Sequence, residues 1–141
     1  MDLLNILQVS GSGLTAERTR IQTVSSNIAN AQTTKSEGGG AYRRKIPVFS
    51  AVEIGNSFGG MLDAKLSQPL VTDVVDDMRP LESVYDPSHP DADATGHVEM
   101  PNVEIVSEMV DMISASRAYE ANVSAISATK NMALKALEIG K

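Results

Sequence analysis

Hydrophobic positions recur with a helical period at both ends of the chain and lose it in the middle. From Met1 to about Ala31, Leu7, Leu14, Ile21 and Ile28 return every seven residues, with Leu3, Val24 and Ala31 three or four residues from that ladder. This is the spacing of a coiled-coil seam on an α-helix. Ser10-Gly11-Ser12-Gly13 cuts through it, and each glycine inside a helix costs roughly 1 kcal/mol relative to alanine. Such a helix is marginal alone and is expected to depend on packing partners.

Between Thr33 and about Pro101 the helical period disappears. Gly38-Gly39-Gly40 opens the region, and Tyr42 to Ile54 and Met61 to Val75 read as short strands separated by turn residues at Gly55-Asn56 and Gly59-Gly60. Pro47 and Pro69 limit these strands to edges or ends. The middle is therefore expected to be a small, irregular β-rich unit.

From Asn102 to about Ile139 the pattern predicts one long helix. Asn102 reads as its N-cap after Pro101, Glu104 suits the first turn, and Gly140 is a stop. At about 1.5 Å per residue this is a rod of more than roughly 50 Å. It carries two stripes. A bulky one runs Ile105, Met109, Met112, Ser116, Tyr119, Val123, Ile126, Lys130, Ala133 and Leu137. A small one runs Ala118, Ala121, Ala125, Ala128, Met132 and Ala136. At about 100° per residue the stripes stand roughly 140° apart. The wedge between them holds Arg117, Glu120, Ser124, Ser127, Asn131, Lys135 and Glu138, a wet face. A helix with two apolar stripes should be covered from two sides. One other long helix in the chain supplies only part of that cover, so neighbouring copies or related subunits are expected to supply the rest.

Composition narrows the function more than the fold. In 141 residues there is no Trp, two Phe and three Tyr, so the core is thin in bulky side chains. A formal net charge of -6 argues against a nucleic-acid partner, which requires a basic surface. Cysteine is absent, which excludes disulfides, thiolate metal sites and a cysteine nucleophile. Met1-Asp2-Leu3-Leu4-Asn5 has no basic n-region, so no cleaved secretory signal is expected, and no apolar run reaches the length of a membrane span.

Few residues offer chemistry. The glycine triplet lacks the Lys-Ser/Thr pair and preceding strand of a phosphate-binding loop. Asp86, His89, Asp91, Asp93, His97 and Glu99 are the one cluster on which a metal-dependent enzyme could rest, but their spacing matches neither H-E-x-x-H nor an EF-hand. Pro87 and Pro90 make turn chemistry the better reading. Arg43-Arg44-Lys45 reads as protection of a strand edge ahead of an anion contact. Met109, Met112 and Met132 read as adaptable packing, and Tyr119 as a buried ring with a partnered hydroxyl. Asn27 and Asn30 are expected to cap or cross-link a helix end. Neither a catalytic residue nor a cofactor is expected. The residues alone leave an axial structural subunit, a non-polymerising helical adaptor and a distant metal-dependent enzyme in contention.

Three stretches resemble the flagellar rod and hook axial protein family. Ser25-Ser26-Asn27-Ile28-Ala29-Asn30-Ala31-Gln32-Thr33-Thr34 is similar to its N-terminal signature. Arg117-Ala118-Tyr119-Glu120-Ala121-Asn122, after Glu108-Met109-Val110, is similar to its C-terminal one. Tyr85 to Asp93, leading through Gly96-His97-Val98-Glu99-Met100-Pro101-Asn102-Val103, resembles the proximal rod type, with His97 where many members carry Tyr.

The resemblance implies an α+β fold in which long N- and C-terminal helices pair antiparallel as a coiled-coil-like domain, residues 1–34 and 102–141, around a β-rich segment 35–101. It implies a structural rod subunit that packs with its own copies and other rod proteins around a central channel and helps transmit torque. Delivery would be by the flagellar type III export apparatus to the periplasmic rod. Subunit packing would then fall to Leu7, Leu14, Ile21, Ile28, Met109, Met112, Tyr119, Ala121, Val123, Ala125, Ile126 and Ala128. By the same resemblance the bulky stripe should meet the chain's own N-terminal helix, the alanine stripe a neighbouring subunit, and the wet wedge the channel.

Overall fold

The structure, a computed structural model, describes residues 3–36, 39–53 and 67–139. Two helices, α1 (Leu3–Ala29) and α2 (Ile105–Ile139), enclose four strands in sequence: β1 (Lys45–Glu53), β2 (Ser67–Asp76), β3 (Glu82–Tyr85) and β4 (His97–Met100). This is the expected α+β arrangement. The turns expected at Gly55-Asn56 and Gly59-Gly60, the first residues of the second expected strand, Gly38 and the Gly140 stop lie outside the described residues.

α1 is the middle layer. α2 packs along one side of it, and the β1–β2 ribbon lies against another. The helices run antiparallel: Arg20 of α1 bonds Asp111 of α2, Asn27 reaches Glu108, and Gly13 faces Asn122. Their contact is made of small and polar residues. On α1 these are Ser10, Gly13, Ala16, Thr23, Val24 and Asn27; on α2 they are Glu108, Ala115 and Thr129, with Ala118, Asn122, Ile126 and Ala133 half-buried beside them. A Cβ on Gly13 would stand 3.0 Å from the Asn122 Nδ2. The glycine that weakens α1 locally thus permits the close approach of α2.

The expected contact of the bulky stripe of α2 with α1 is corrected here. At about 100° per residue, the buried line falls in the gap between the two stripes, opposite the wet wedge. Of the bulky stripe, Met112, Ile126 and Ala133 border the contact, while Ile105, Met109, Val123 and Leu137 are exposed; Tyr119 is 37% exposed and not a buried ring. Of the small stripe, only Ala118 is half-buried; Ala121, Ala125 and Ala128 are exposed. The physical reason is distance: Gly13, Ala16 and Ala115 let the backbones meet closely, and a bulky seam would hold them apart. Every residue of the wedge is exposed. The heptad residues of α1 (Leu7, Leu14, Ile21 and Ile28) are all half-buried, beside the fully buried line.

β1 and β2 pair antiparallel from Lys45↔Asp76 to Glu53↔Ser67, with a register shift between Val48 and Phe49. Pro47 and Pro69 are accommodated because each strand of a two-stranded ribbon has an open edge. The ribbon begins beside the end of α1, where Asn27 meets Lys45, and returns past its first half, where Gln8 meets Gln68. β3 and β4 form a second antiparallel pair within what the sequence presented only as an approach to the last helix. Val98 is its buried residue. Gly96 takes φ +78°, and a Cβ there would meet the Tyr85 ring at 2.9 Å, so that turn requires glycine.

Candidate functional site

At the end of α1 the chain brings every layer together through polar side chains. Asn27 is fully buried and has four partners. Its Oδ1 accepts from the Lys45 N–H (2.9 Å) and the Tyr42 hydroxyl (3.0 Å); its Nδ2 donates to the Lys45 carbonyl (2.9 Å) and to Glu108 Oε2 (2.9 Å). The Asp77 N–H donates the neighbouring ribbon bond to the Arg44 carbonyl, and Lys45 turns both backbone groups away from β2 and toward α1. The Asn27 amide therefore acts as one rung of a third strand, tying helix to ribbon.

Glu108, also fully buried, joins the other half. Its Oε1 accepts from Arg44 Nε. The Arg44 guanidinium lies 3.8 Å from Asp77 Oδ2 and 3.6 Å from Asp111 Oδ2, and Asp111 is bonded in turn by Arg20 at 3.1 Å. Arg79 closes the cluster on Asp77 at 2.7 Å. Three arginines thus face three carboxylates. The Asp77 carboxyl is held below the usual carboxylate range, first by the hydrogen bond from the Arg79 side chain and then by the Arg79 backbone N–H, against the opposing effect of burial. The same pairing raises the Arg79 guanidinium.

Two sequence expectations change at this node. Asn102 does not cap α2, which starts at Ile105. Its Oδ1 accepts from the Arg44 N–H at 2.8 Å, and its Nδ2 donates to the Asp77 and Arg79 carbonyls. Nor is Arg43-Arg44-Lys45 a uniform solvent edge. Arg44 turns inward, Arg43 reaches the Asp77 and Arg79 carbonyls, and Lys45 alone leaves its side chain exposed without such a bond. Beside the node an open cleft of about 840 Å³ runs between Arg79, Glu82, Asn102 and Glu104.

Asn30 closes α1 locally, donating to the Ser26 carbonyl and accepting from Thr33. Ala29, Arg117, Ala121 and Glu120 are exposed, Thr33 and Ala118 half-buried. The residues of the two terminal signatures thus divide between the node, the helix contact and open surface.

The acidic loop is built as turns. Asp86 accepts from the Ser88 N–H and hydroxyl, and Asp93 from Thr95 and the His97 N–H; both carboxyls are held below the usual range, Asp86 chiefly by the Ser88 hydroxyl and Asp93 chiefly by the His97 N–H. His97 stands edge-on to Tyr85 at 5.2 Å, and His89 Nδ1 accepts from the Asp91 N–H. Among the described residues no three His, Cys, Asp or Glu side chains are placed to hold a metal ion. No described helix is long and apolar enough to cross a membrane.

What stays open is apolar. On the far side of α2 from α1, the first three turns expose Val106 (69%), Met109, Val110 (61%) and Ile113 (55%). Sequence reading passed over this patch, although an uninterrupted wet face would have no valines at 106 and 110.

Comparison with known proteins shows two family models matching the helical ends: one described as flagella basal body rod protein over residues 7–35, and one described as flagellar basal body rod FlgEFG protein C-terminal over residues 94–139. The flagellar basal-body rod protein FlgC of Bacillus subtilis is 43% identical, with all of each chain covered. That of Borreliella burgdorferi is 44% identical, covering 99% of this chain and 98% of the relative. That of Escherichia coli O157:H7 is 42% identical, again over the whole of both. With both terminal signatures in place and similarity running from end to end, the chain belongs to the FlgC family of flagellar basal-body rod proteins.

Proposed function

We propose that this chain is a non-enzymatic structural subunit of the bacterial flagellar rod, packing with its own copies and other rod proteins around the export channel and passing torque along the axis. The observation that carries this reading is the end-to-end similarity to rod proteins in a chain whose 35-residue helix has, among the described residues, a single helical neighbour and leaves Val106, Met109, Val110 and Ile113 open on its far side. An adaptor that never polymerised would have no use for so much uncovered surface.

In this reading residues 1–34 and 102–141 form the axial helical domain, and 35–101 form the outward β segment. The subunit is exported by the flagellar type III apparatus without a cleaved signal peptide and works in the periplasmic part of the rod. The acidic loop fits a structural role because its aspartates are engaged in turns. The test is complementation of a strain lacking its own rod subunit of this family, followed by cross-linking in purified basal bodies. Restored swimming with cross-links to rod proteins is expected. Restored swimming with the chain absent from the basal bodies would favour the adaptor.

A further inference from the structure

Sorted by exposure, α2 has four sides. The buried line of Glu108, Ala115 and Thr129 faces α1. At about 100° per residue, the exposed bulky residues Ile105, Met109, Tyr119, Val123, Leu134 and Leu137 stand about a quarter turn to one side of that line. The exposed residues Ser114, Ala121, Ala125, Ala128, Met132 and Ala136, small except for the methionine, stand about a quarter turn to the other. The bulky edge and the small edge therefore point in opposite directions across the helix. Between them, on the side away from α1, lies the wet wedge.

A bulky helix edge packs best on a surface whose side chains do not hold it off, and an edge of alanines is such a surface. Opposite edges of one helix cannot meet within a chain, but they do meet when a second copy is set alongside in the same orientation. The rims of the two edges match as well. On the wet side the bulky edge is bordered by Glu120 and Glu138, and the small edge by Arg117 and Lys135, all exposed. Exposed charges of this kind are ordinary singly; their spacing is what informs. Each acid follows a base by three residues, and the second set repeats the first after eighteen residues, about five full turns, and so on the same faces. A single axial offset of about 4.5 Å thus brings Glu120 level with Arg117 of the next copy and Glu138 level with its Lys135. In the first turns both rims are apolar, Met109 on the bulky side and Val110 on the small side. Lys130, the one charge on the bulky edge, can lay its stem over the alanines.

We infer that the bulky edge of α2 docks on the alanine edge of α2 in a second copy of this chain, parallel and side by side, with Glu120 and Glu138 of one against Arg117 and Lys135 of the other. It rests on the reading of the chain as a rod subunit and names the surface by which its copies meet. The contact joins different edges, so it propagates around an axis and does not stop at a dimer. Charges flanking an apolar seam set partner and orientation, as they do in coiled coils. The wet wedge of every copy is left on one face of the row, and α1 on the other.

The absence of cysteine makes the test direct. Ala121→Cys and Val123→Cys are placed singly and together in the full chain, expressed in a strain lacking its own subunit of this family, and basal bodies are purified under mild oxidation. With the offset above, position 123 of one copy and 121 of the next differ by about 1.5 Å along the axis. The double variant should give a ladder of linked chains extending beyond the dimer, and neither single variant should link. Dimers from a single variant would mean that like edges meet, and would overturn the proposal. A double variant present in basal bodies without the ladder would overturn it while leaving the rod reading intact; absence of the unaltered chain from basal bodies would remove both.

Charge exchange supplies a second arm that does not depend on the cysteines. Arg117→Glu with Lys135→Glu leaves only acids along the two rims, and Glu120→Arg with Glu138→Lys leaves only bases. Each variant should lower rod yield on the order of ten-fold through like-charge contact. Expressed together they should recover most of it, because an acidic copy then alternates with a basic one. Repulsion confined to one helix would not be relieved by a second chain, nor would a lost contact to a different rod protein. Failure to recover on co-expression, or full assembly of either variant alone, overturns the proposal.

Discussion

Asn27 offers the sharpest test of the polar node. Replacing it with alanine removes the bonds to both Lys45 backbone groups, to the Tyr42 hydroxyl and to Glu108. A buried group stranded without a partner costs about 1–3 kcal/mol. The Glu108 oxygen bears that cost in full, because its bond lies in the interior. The Lys45 groups are part-buried, and the Tyr42 hydroxyl still has Ser26 at 3.5 Å. The sum is about 3–4 kcal/mol, a large share of the roughly 5–15 kcal/mol that stabilises a domain. With a urea slope of about 2 kcal/mol/M, the unfolding midpoint followed by circular dichroism should fall by about 1.5–2 M.

Asn27→Asp then separates the node from ordinary helix capping. The aspartate keeps the acceptor for Lys45 and Tyr42 but sets a second carboxylate where the Nδ2 now donates to Glu108 at 2.9 Å. At pH 7 it should be at least as damaging as alanine. The like charge raises the new carboxyl above its unfolded value, so the loss should shrink as pH falls through that raised value and the proton restores a donor. An Asn27→Asp protein with wild-type stability at pH 7 would refute the node as described.

Other changes probe separate parts of the fold. A methyl group added at Gly11 would have nothing within 4 Å, whereas Gly13 faces Asn122; Gly11→Ala should therefore raise stability by about 0.5–1 kcal/mol, and Gly13→Ala should gain less, both read from urea midpoints. Asp77, with its folded carboxyl below the unfolded value, stabilises the fold above the ordinary carboxylate range and loses that effect as pH falls through the folded value. Asp77→Asn should accordingly flatten the acid limb of a stability–pH curve. Ala115 is 0% exposed, so Ala115→Leu should cost the monomer about 1–3 kcal/mol. Ala125→Leu, on open surface, should leave monomer melting unchanged, and its effect on rod assembly should appear only in motility and basal-body yield.

The two helices were legible because a period of three and four residues survives over many turns. The β1–β2 ribbon was legible because its apolar, β-branched runs are nine and ten residues long. β3 and β4 were hidden by brevity: four residues each, split by a proline-containing loop, leave too few alternations to register. The node was hidden by residue type. Arg44 stands in a basic triplet that reads as solvent edge, and Glu108 stands out in the sequence only within a stretch that resembles the family's C-terminal signature. Neither reading anticipates that the two side chains find each other across 64 residues of sequence. Asn27 was singled out as a cross-link, but its targets, Lys45 and Glu108, required the fold.

The bulky stripe of α2 was misassigned to the α1 contact because hydrophobicity ranks residues by the area they bury, while helix contact at short range selects for what does not intervene. Gly13, Ala16 and Ala115 bury little area each, and a smooth contact of such residues defines register weakly. The polar groups supply that definition. Sliding α2 by one turn would carry Glu108 about 5.4 Å along the axis, beyond hydrogen-bond reach of Asn27 and Arg44, and would part Arg20 from Asp111. A slipped pair would leave the buried Glu108 without partners, a cost of several kcal/mol that small apolar side chains could not offset. Close packing thus brings the helices together, the node sets their register, and the bulky side chains excluded from that contact remain on the surface where a neighbouring subunit can meet them.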